Sequence, residues 1–342
     1  MMLKYLLCAA LLTLSAGVSA AAPAGHAEIM PKATSSTLLD VVALPKGFIA
    51  VGARGHILSS KDGVNWTQSS VPTRAMINRV IALPDGRLFA VGHDGVILRS
   101  VDRGQRWTLQ HQTISDQRPN TLYDVAFVSA QRGYALGAFG LMLVTEDGGT
   151  TWQPVENALS LSGLHLNAIA NLGEGGLIVS GERGLLGVSR DGGLTWKLSA
   201  PAYAGSYFGV LPTSANTALV YGQRGRLFAI DDINRLQSGD PASFDPLITP
   251  SPDDAQALKL GFRRVLVPVE SSFFGGSLLP DGRAVFVGAD ATTLLVDPAF
   301  TSATLLKHKG SATYSRVALQ GQHLLVVGMH GVSRIKLPEL TK

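Results

Sequence analysis

The sequence has one cysteine, Cys8, and it lies in a leading apolar stretch. The rest of the chain can build neither a disulfide framework nor a thiolate metal cluster, so burial alone must stabilise it. Charge is scarce too, at 16% of 342 residues, and the formal net charge is only +4. No run of five basic residues occurs, which leaves nucleic-acid binding without an electrostatic footing. No H-x-x-x-H motif is present, and neither a metal nor a cofactor is expected. The leading run Leu6–Val18 is too short to cross a bilayer as a helix. With Lys4 before it and small residues at Val18 and Ala20, it reads as an export signal over residues 1–20, cut after Ala20 or Ala22. The mature chain is therefore expected to be exported and periplasmic, with no membrane span.

Glycine is abundant, with 38 residues, and its placement is periodic. The strand-like phrase "FIAVGARGHIL" (48–58) returns as "LFAVGHDGVIL" (88–98), "YALGAFGLML" (134–143) and "LIVSGERGLLG" (177–187). It returns again as "ALVYGQRGRLF" (218–228), "AVFVGADATTL" (284–294) and "LLVVGMHGVSR" (324–334). The leading glycines are Gly52, Gly92, Gly137, Gly181, Gly222, Gly288 and Gly328, spaced 40, 45, 44, 41, 66 and 40 apart. Each unit reads as four short strands linked by Gly- and Asp-bearing turns. Units of this size are propeller blades. The fold expected is all-β: one seven-bladed β-propeller over 26–340 with four-stranded blades. The last unit offers three strands, and "HAEIMPK" (26–32) is expected to close it as an N-terminal outer strand. The 66-residue gap marks an insertion, 232–258, between the third and fourth strands of blade five. Functional and disordered readings of it both stay open.

All four tryptophans fall in a second phrase, "SKDGVNW" (60–66), "SVDRGQRW" (100–107), "TEDGGTTW" (145–152) and "SRDGGLTW" (189–196). The pairs Asp62 and Trp66, Asp102 and Trp107, Asp147 and Trp152, and Asp191 and Trp196 read as structural staples. The carboxylate can accept amides of its own turn, glycine supplies positive φ, and the indole covers the space beside it. An active site would need the phrase once, not four times. A calcium loop would need several alternating carboxylates.

The S/T-x-D-x-G-x-T-W phrase resembles the Asp-box repeat of sialidase-like propellers. Joined to V-G-x-x-G over roughly residues 38–336, it more closely resembles the photosystem II stability and assembly factor family. That resemblance implies a non-catalytic scaffold that binds and stabilises or couples a membrane-protein complex, in the lumen of a photosynthetic cell or in a bacterial periplasm. Outside photosynthesis, relatives of this kind suggest an accessory of an envelope transporter of the resistance–nodulation–division type. It also implies an arginine-bearing binding face, for which Arg54, Arg183 and Arg224 are the matching turn positions.

From the residues themselves, the two variable positions of each G-x-x-G turn should ring one face, opposite the Asp boxes. The loops leading into the inner strands should join them. The face so assigned comprises Arg54, Arg79, Asp94, Phe139, Arg183, Tyr207, Phe208, Arg224, Arg264, Phe274, Asp290, Arg316 and His330, a mixture of arginines and aromatics typical of protein interfaces. Of the neighbouring Arg263 and Arg264, only one can aim at a given surface. The alternative is a glycan-binding or glycoside-hydrolysing protein, for which Asp94, Asp124 and Asp290 are the candidate carboxylates. A metal would draw on His56, His93 and His330. Neither finds a supporting motif, and the chain is read as a non-enzyme, monomeric outside its complex.

Overall fold

The computed structural model describes residues 25–114, 120–241, 244–245, 251–308 and 312–338. The expected export signal and Cys8 lie outside the described residues. Seven antiparallel sheets follow one another along the chain and form the blades of a propeller. Six have four strands in simple up-and-down order. In blade one these are Leu38–Leu44, Gly47–Gly52, Ile57–Ser60 and Trp66–Gln68, from the axis outward.

The second strand of each blade is the apolar run that precedes the G-x-x-G. In blades two to six every residue of it is buried. Neighbouring blades cover both of its faces, so the run is continuous where a half-exposed strand would alternate. Outer strands are short and exposed, such as Gln153–Pro154 and Lys197–Leu198. Short edges limit edge-to-edge pairing between molecules.

The N-terminal segment departs from expectation. The seventh blade, Tyr314–Gln320, His323–Gly328 and Gly331–Lys336, has three strands among the described residues, and residues 26–32 do not pair with it. Their polar groups are taken by blade one and the link that follows it. The Ala27 amide donates to the Val71 carbonyl at 2.9 Å, and Gln68 bonds both the Met30 amide and the Glu28 carbonyl. Pro31 has no amide to offer a ladder, and a single 3-10 turn, Ala33–Ser35, follows. Closure comes instead from packing. Met30 and Ala33 sit against Val327 and Val332 of blade seven and against Leu58 and Trp66 of blade one.

The inserted segment of blade five leaves after Leu227–Ile230 and rejoins at Arg263–Arg264. Its first part runs along the outer strand of blade four, where the Ala200 amide donates to Gln237 at 2.8 Å and Gly239 donates to Leu198. Its last part is a helix, Asp254–Lys259, started by a capping box of Asp253 and Gln256. Ala257 and Phe262 bury into the blade four and five core. These parts of the insertion cover the blade four and five edge.

Candidate functional site: the tip face and the ion network beneath it

The second and third strands of each blade meet at its G-x-x-G turn. All seven turns are tied down alike. The amide after the first glycine donates to the carbonyl just before the inner strand: Ala53 to Thr37, His93 to Met76, Ala138 to Thr121, Glu182 to His165, Gln223 to Ser206, Ala289 to Ser272 and Met329 to Thr313, at 2.9–3.1 Å. The first glycine lies so close to that carbonyl that a Cβ would overlap it in every blade.

In six blades the second variable residue is left-handed without being glycine: Arg54, Asp94, Phe139, Arg183, Arg224 and Asp290, at φ 53–57°. Such a conformation costs a non-glycine residue about 1–3 kcal/mol, and the cost persists where the surroundings over-determine it. Here the repeated hydrogen bond does so, and each turn projects one side chain from the face. Blade seven differs: Met329 and His330 form a two-residue hairpin between the paired Gly328 and Gly331. Arg54, Asp94, Phe139, Arg224, Asp290 and His330 are exposed, and Arg183 is half-buried. Arg54, Arg183 and Arg224 have no carboxylate partner among the described residues. Asp290 accepts from Ser271 at 3.1 Å. Phe139 stacks on His165, with ring centres 4.5 Å apart, and its amide donates to His165 Nδ1 at 3.1 Å. The other imidazole nitrogen lies 3.6 Å from Glu182. His165 therefore joins the turns of blades three and four.

Every inner strand is bulged at its tip-side end, between its first and third residues. The first residue plugs the core, and this corrects the place assigned to Tyr207. It is fully buried, packs on Tyr203 and Phe228, and burial pushes its phenol far above the ordinary range. The second residue is the unpaired one, and Phe208 and Phe274 stand there on adjacent blades, stacked at 5.3 Å.

The third residues are Asp40, Arg79, Asp124, Ala168, Gly209, Gly275 and Arg316 in blade order. Arg79 and Arg316 thus lie beneath the face, in an ion network at the axis. Arg79 Nε meets Asp124 at 2.8 Å and its Nη1 meets Asp40 at 3.4 Å, while Arg316 Nε meets Asp40 at 3.1 Å. Arg316 Nη1 also donates to the Tyr221 hydroxyl at 3.5 Å, whose ring fills the room beside Gly209. Each carboxylate additionally bridges to the next blade, Asp40 accepting the Val80 amide and Asp124 the Ile169 amide. Burial disfavours the Arg79 cation, but Asp124 and Asp40 more than offset this, so its pKa is raised. Asp40, Tyr221 and His165 escaped the reading of the sequence. For Asp40 a signal existed: it occupies the same repeat column as Asp124, with an arginine between them.

Arg264 is corrected as well. It sits on the outermost strand of blade five and pairs with Asp254 of the insertion helix at 3.3 Å, away from the tips. His56 is buried with its Nδ1 on Ser36 at 2.8 Å, whereas His93 and His330 are exposed. Among the described residues no three potential ligands cluster for a metal.

The aspartate turns lie at the opposite end of the blades. Asp191 accepts the Thr195 amide at 2.9 Å and the Thr195 hydroxyl at 2.5 Å, while Ser189 donates to it and accepts the Gly193 amide. The Trp107 and Trp196 indoles donate to Gly104 and Gly193, both at 3.1 Å. A fifth such turn, unmarked by tryptophan or glycine, stands in blade six. There Asp297 accepts amides and hydroxyls of Thr301 and Ser302. The amide of Asn65 above all holds Asp62 far below the usual carboxylate range. Donors from Arg106, Thr151 and Thr195 hold Asp102, Asp147 and Asp191 down to about 2. At Asp297 burial opposes the shift, but the Ser302 and Thr301 donors outweigh it, again to about 2.

These carboxyls are more acidic folded than unfolded, so the unfolded chain binds more protons as pH falls and stability drops. The loss starts near the ordinary value of 3.8 and is complete below about 2. The melting temperature is therefore expected to hold above about pH 5 and to fall steeply between about pH 4 and 2. Asp191→Asn should shallow that slope. A melting curve unmoved across this range would show that the turns do not couple to stability.

Residues 109–232 match the family model described as Photosynthesis system II assembly factor YCF48. Photosystem II assembly protein Ycf48 of Thermosynechococcus vestitus is 33% identical over 115 residues. The matched stretch covers 32% of this chain and 32% of that relative, so the chain spans about a third of its length. In structure, YCF48 from Cyanidioschyzon merolae superposes with a TM-score of 0.65 at 18% identity, over 93% of this chain and 100% of that one. A structure described as YCF48 bound to D1 peptide superposes with a TM-score of 0.62 at 13% identity, over 91% of this chain and 96% of that one. At these identities the likeness is one of fold. Blades three and four and the first three strands of blade five carry the sequence match to the photosystem II assembly factor model, and the seven-bladed ring carries the likeness of fold.

Proposed function

We propose that this chain is an exported, non-catalytic assembly factor that holds a segment of a membrane protein against its tip face. The observation that carries the reading is the tip geometry. Six strained turns, each pinned by the same backbone bond, display on one face Phe139 and Arg54, Arg183 and Arg224, which have no carboxylate partner among the described residues. A pinned turn backbone has already lost its own conformational freedom, which lowers the ordering cost of binding. The similar YCF48 bound to a D1 peptide supports a membrane-protein segment as the client class. In a cell without photosystem II, the client proposed is a transporter of the resistance–nodulation–division type. A glycosidase finds less support: Asp124 is already engaged by Arg79 and two amides, and Asp94 and Asp290 stand on exposed tips.

The test is affinity capture from solubilised envelope membranes. The variant is Arg54/Arg183/Arg224→Gly, because glycine relieves left-handed strain and keeps the blades folded. Wild type is expected to retain a membrane protein and the variant to lose at least about 90% of it, since a few anchor residues carry most binding energy. Equal capture by both would move the site off the tips. Capture by neither would remove the assembly-factor reading.

A further inference from the structure

Neighbouring blades meet differently at the aspartate-turn end. Between blades two and three, Phe89 stacks on Phe127 at 4.6 Å and both contact Trp152. Arg87 crosses that seam to the Gly148 and Ala130 carbonyls. Between blades three and four, Tyr134 fills the place of Phe89, and its hydroxyl donates to the Gly192 carbonyl at 2.9 Å. Between blades one and two the matching positions are Ile49, Ala82 and Gly47. Two rings and a cross-seam arginine are therefore missing, and a groove of ≈ 1100 Å³ opens there.

The groove has an accessible apolar lining of half-buried Leu44, Ala82 and Leu83, with Ile49 and Leu88 buried beneath it. Its rim carries Lys46, Lys61 and Arg103, all exposed, and none has a side-chain partner among the described residues. Its carboxylates are already satisfied: Asp85 by Arg87 at 2.7 Å, Asp62 by the amides of its own turn. Asp62 keeps its negative charge, but Lys46, Lys61 and Arg103 outnumber it, so the net charge of the groove is positive. Arg103 is the telling residue. It stands at φ 60° where the next two turns have Gly148 and Gly192 at φ 73° and 74°. A cation occupies a backbone position suited to glycine, at the one seam of these three that gapes.

We propose that this groove is a second binding site, on the face opposite the tips, for an acidic peptide segment with apolar side chains. The apolar lining accepts the apolar groups and Lys46, Lys61 and Arg103 meet the carboxylates. The site is independent of the tip face.

Fluorescence anisotropy on the whole protein tests it, with the labelled decapeptide EELFPDELFE and its charge-reversed twin KKLFPKKLFK. The acidic peptide is expected to bind at least tenfold more tightly than the twin. Arg103→Gly, which restores the residue of the sister turns, should weaken it at least fivefold without lowering the melting temperature. Ile49→Phe, which supplies the missing ring against Gly104, should weaken it likewise. No binding of the acidic peptide, equal binding of the twin, or unchanged binding by Arg103→Gly overturns the proposal. So does an outcome in which phosphatidylglycerol vesicles, and not the peptide, bind in an Arg103-dependent way, since the groove would then serve a membrane surface.

Discussion

Arg79→Met is expected to lose about 3–5 kcal/mol of stability, because it strips the cation from between two buried carboxylates. Asp40 and Asp124 are 1% and 3% exposed, and both contact Arg79. Arg316 still reaches Asp40, but Asp124 has only amides left. The orphaned charge, not the lost side-chain volume, is the source of the penalty, since methionine nearly matches the arginine stem. Adding Asp124→Asn to Arg79→Met should therefore recover most of the loss, because a neutral amide can still accept the Ile169 bond. Urea unfolding of the two variants decides the matter. A loss under about 1 kcal/mol for Arg79→Met would mean that channel water already screens the carboxylates.

Phe89→Ala is expected to cost about 3–5 kcal/mol, the usual range for emptying a fully buried aromatic site. Phe89 has no exposed surface and touches Phe127 and Trp152. The seam cannot collapse to fill the void, because the strands on both sides are held by their own ladders. Phe89→Leu should cost far less, about 1–1.5 kcal/mol, as a volume-tolerant exchange. The corresponding change in blade one, Ile49→Ala, should cost less than Phe89→Ala, because isoleucine is the smaller buried side chain and leaves the smaller void. Equal losses for Phe89→Ala and Ile49→Ala would show that void volume does not set the cost at these seams.

The blades were legible because a propeller repeats its constraints. Each G-x-x-G must pass a glycine beside an inner-strand carbonyl, and each aspartate turn must satisfy its own amides, so both wrote the same letters again and again. Blade six shows the limit: Asp297 makes the turn without glycine or tryptophan, and its phrase "VDPAFTS" hides it. The tip arginines were legible too, by turn position. Tyr207 and Arg264 were not placed correctly, because adjacent residues on a bulged or outer strand part to different environments, and only the bulge tells which one enters the core.

The sequence by itself determined what is local and periodic: the strand and turn pattern, the blade number and the turn positions that ring one face. Tertiary structure alone decided what depends on closing the ring. It placed Arg79 between Asp40 and Asp124, whose strands lie far apart in the chain and meet only at the axis. It seated residues 26–32 on blade one, because their polar groups find partners there and Pro31 has no amide for a ladder. It also opened the groove between blades one and two, because the gap depends on which side chains face each other across a seam, a pairing that the linear order does not record.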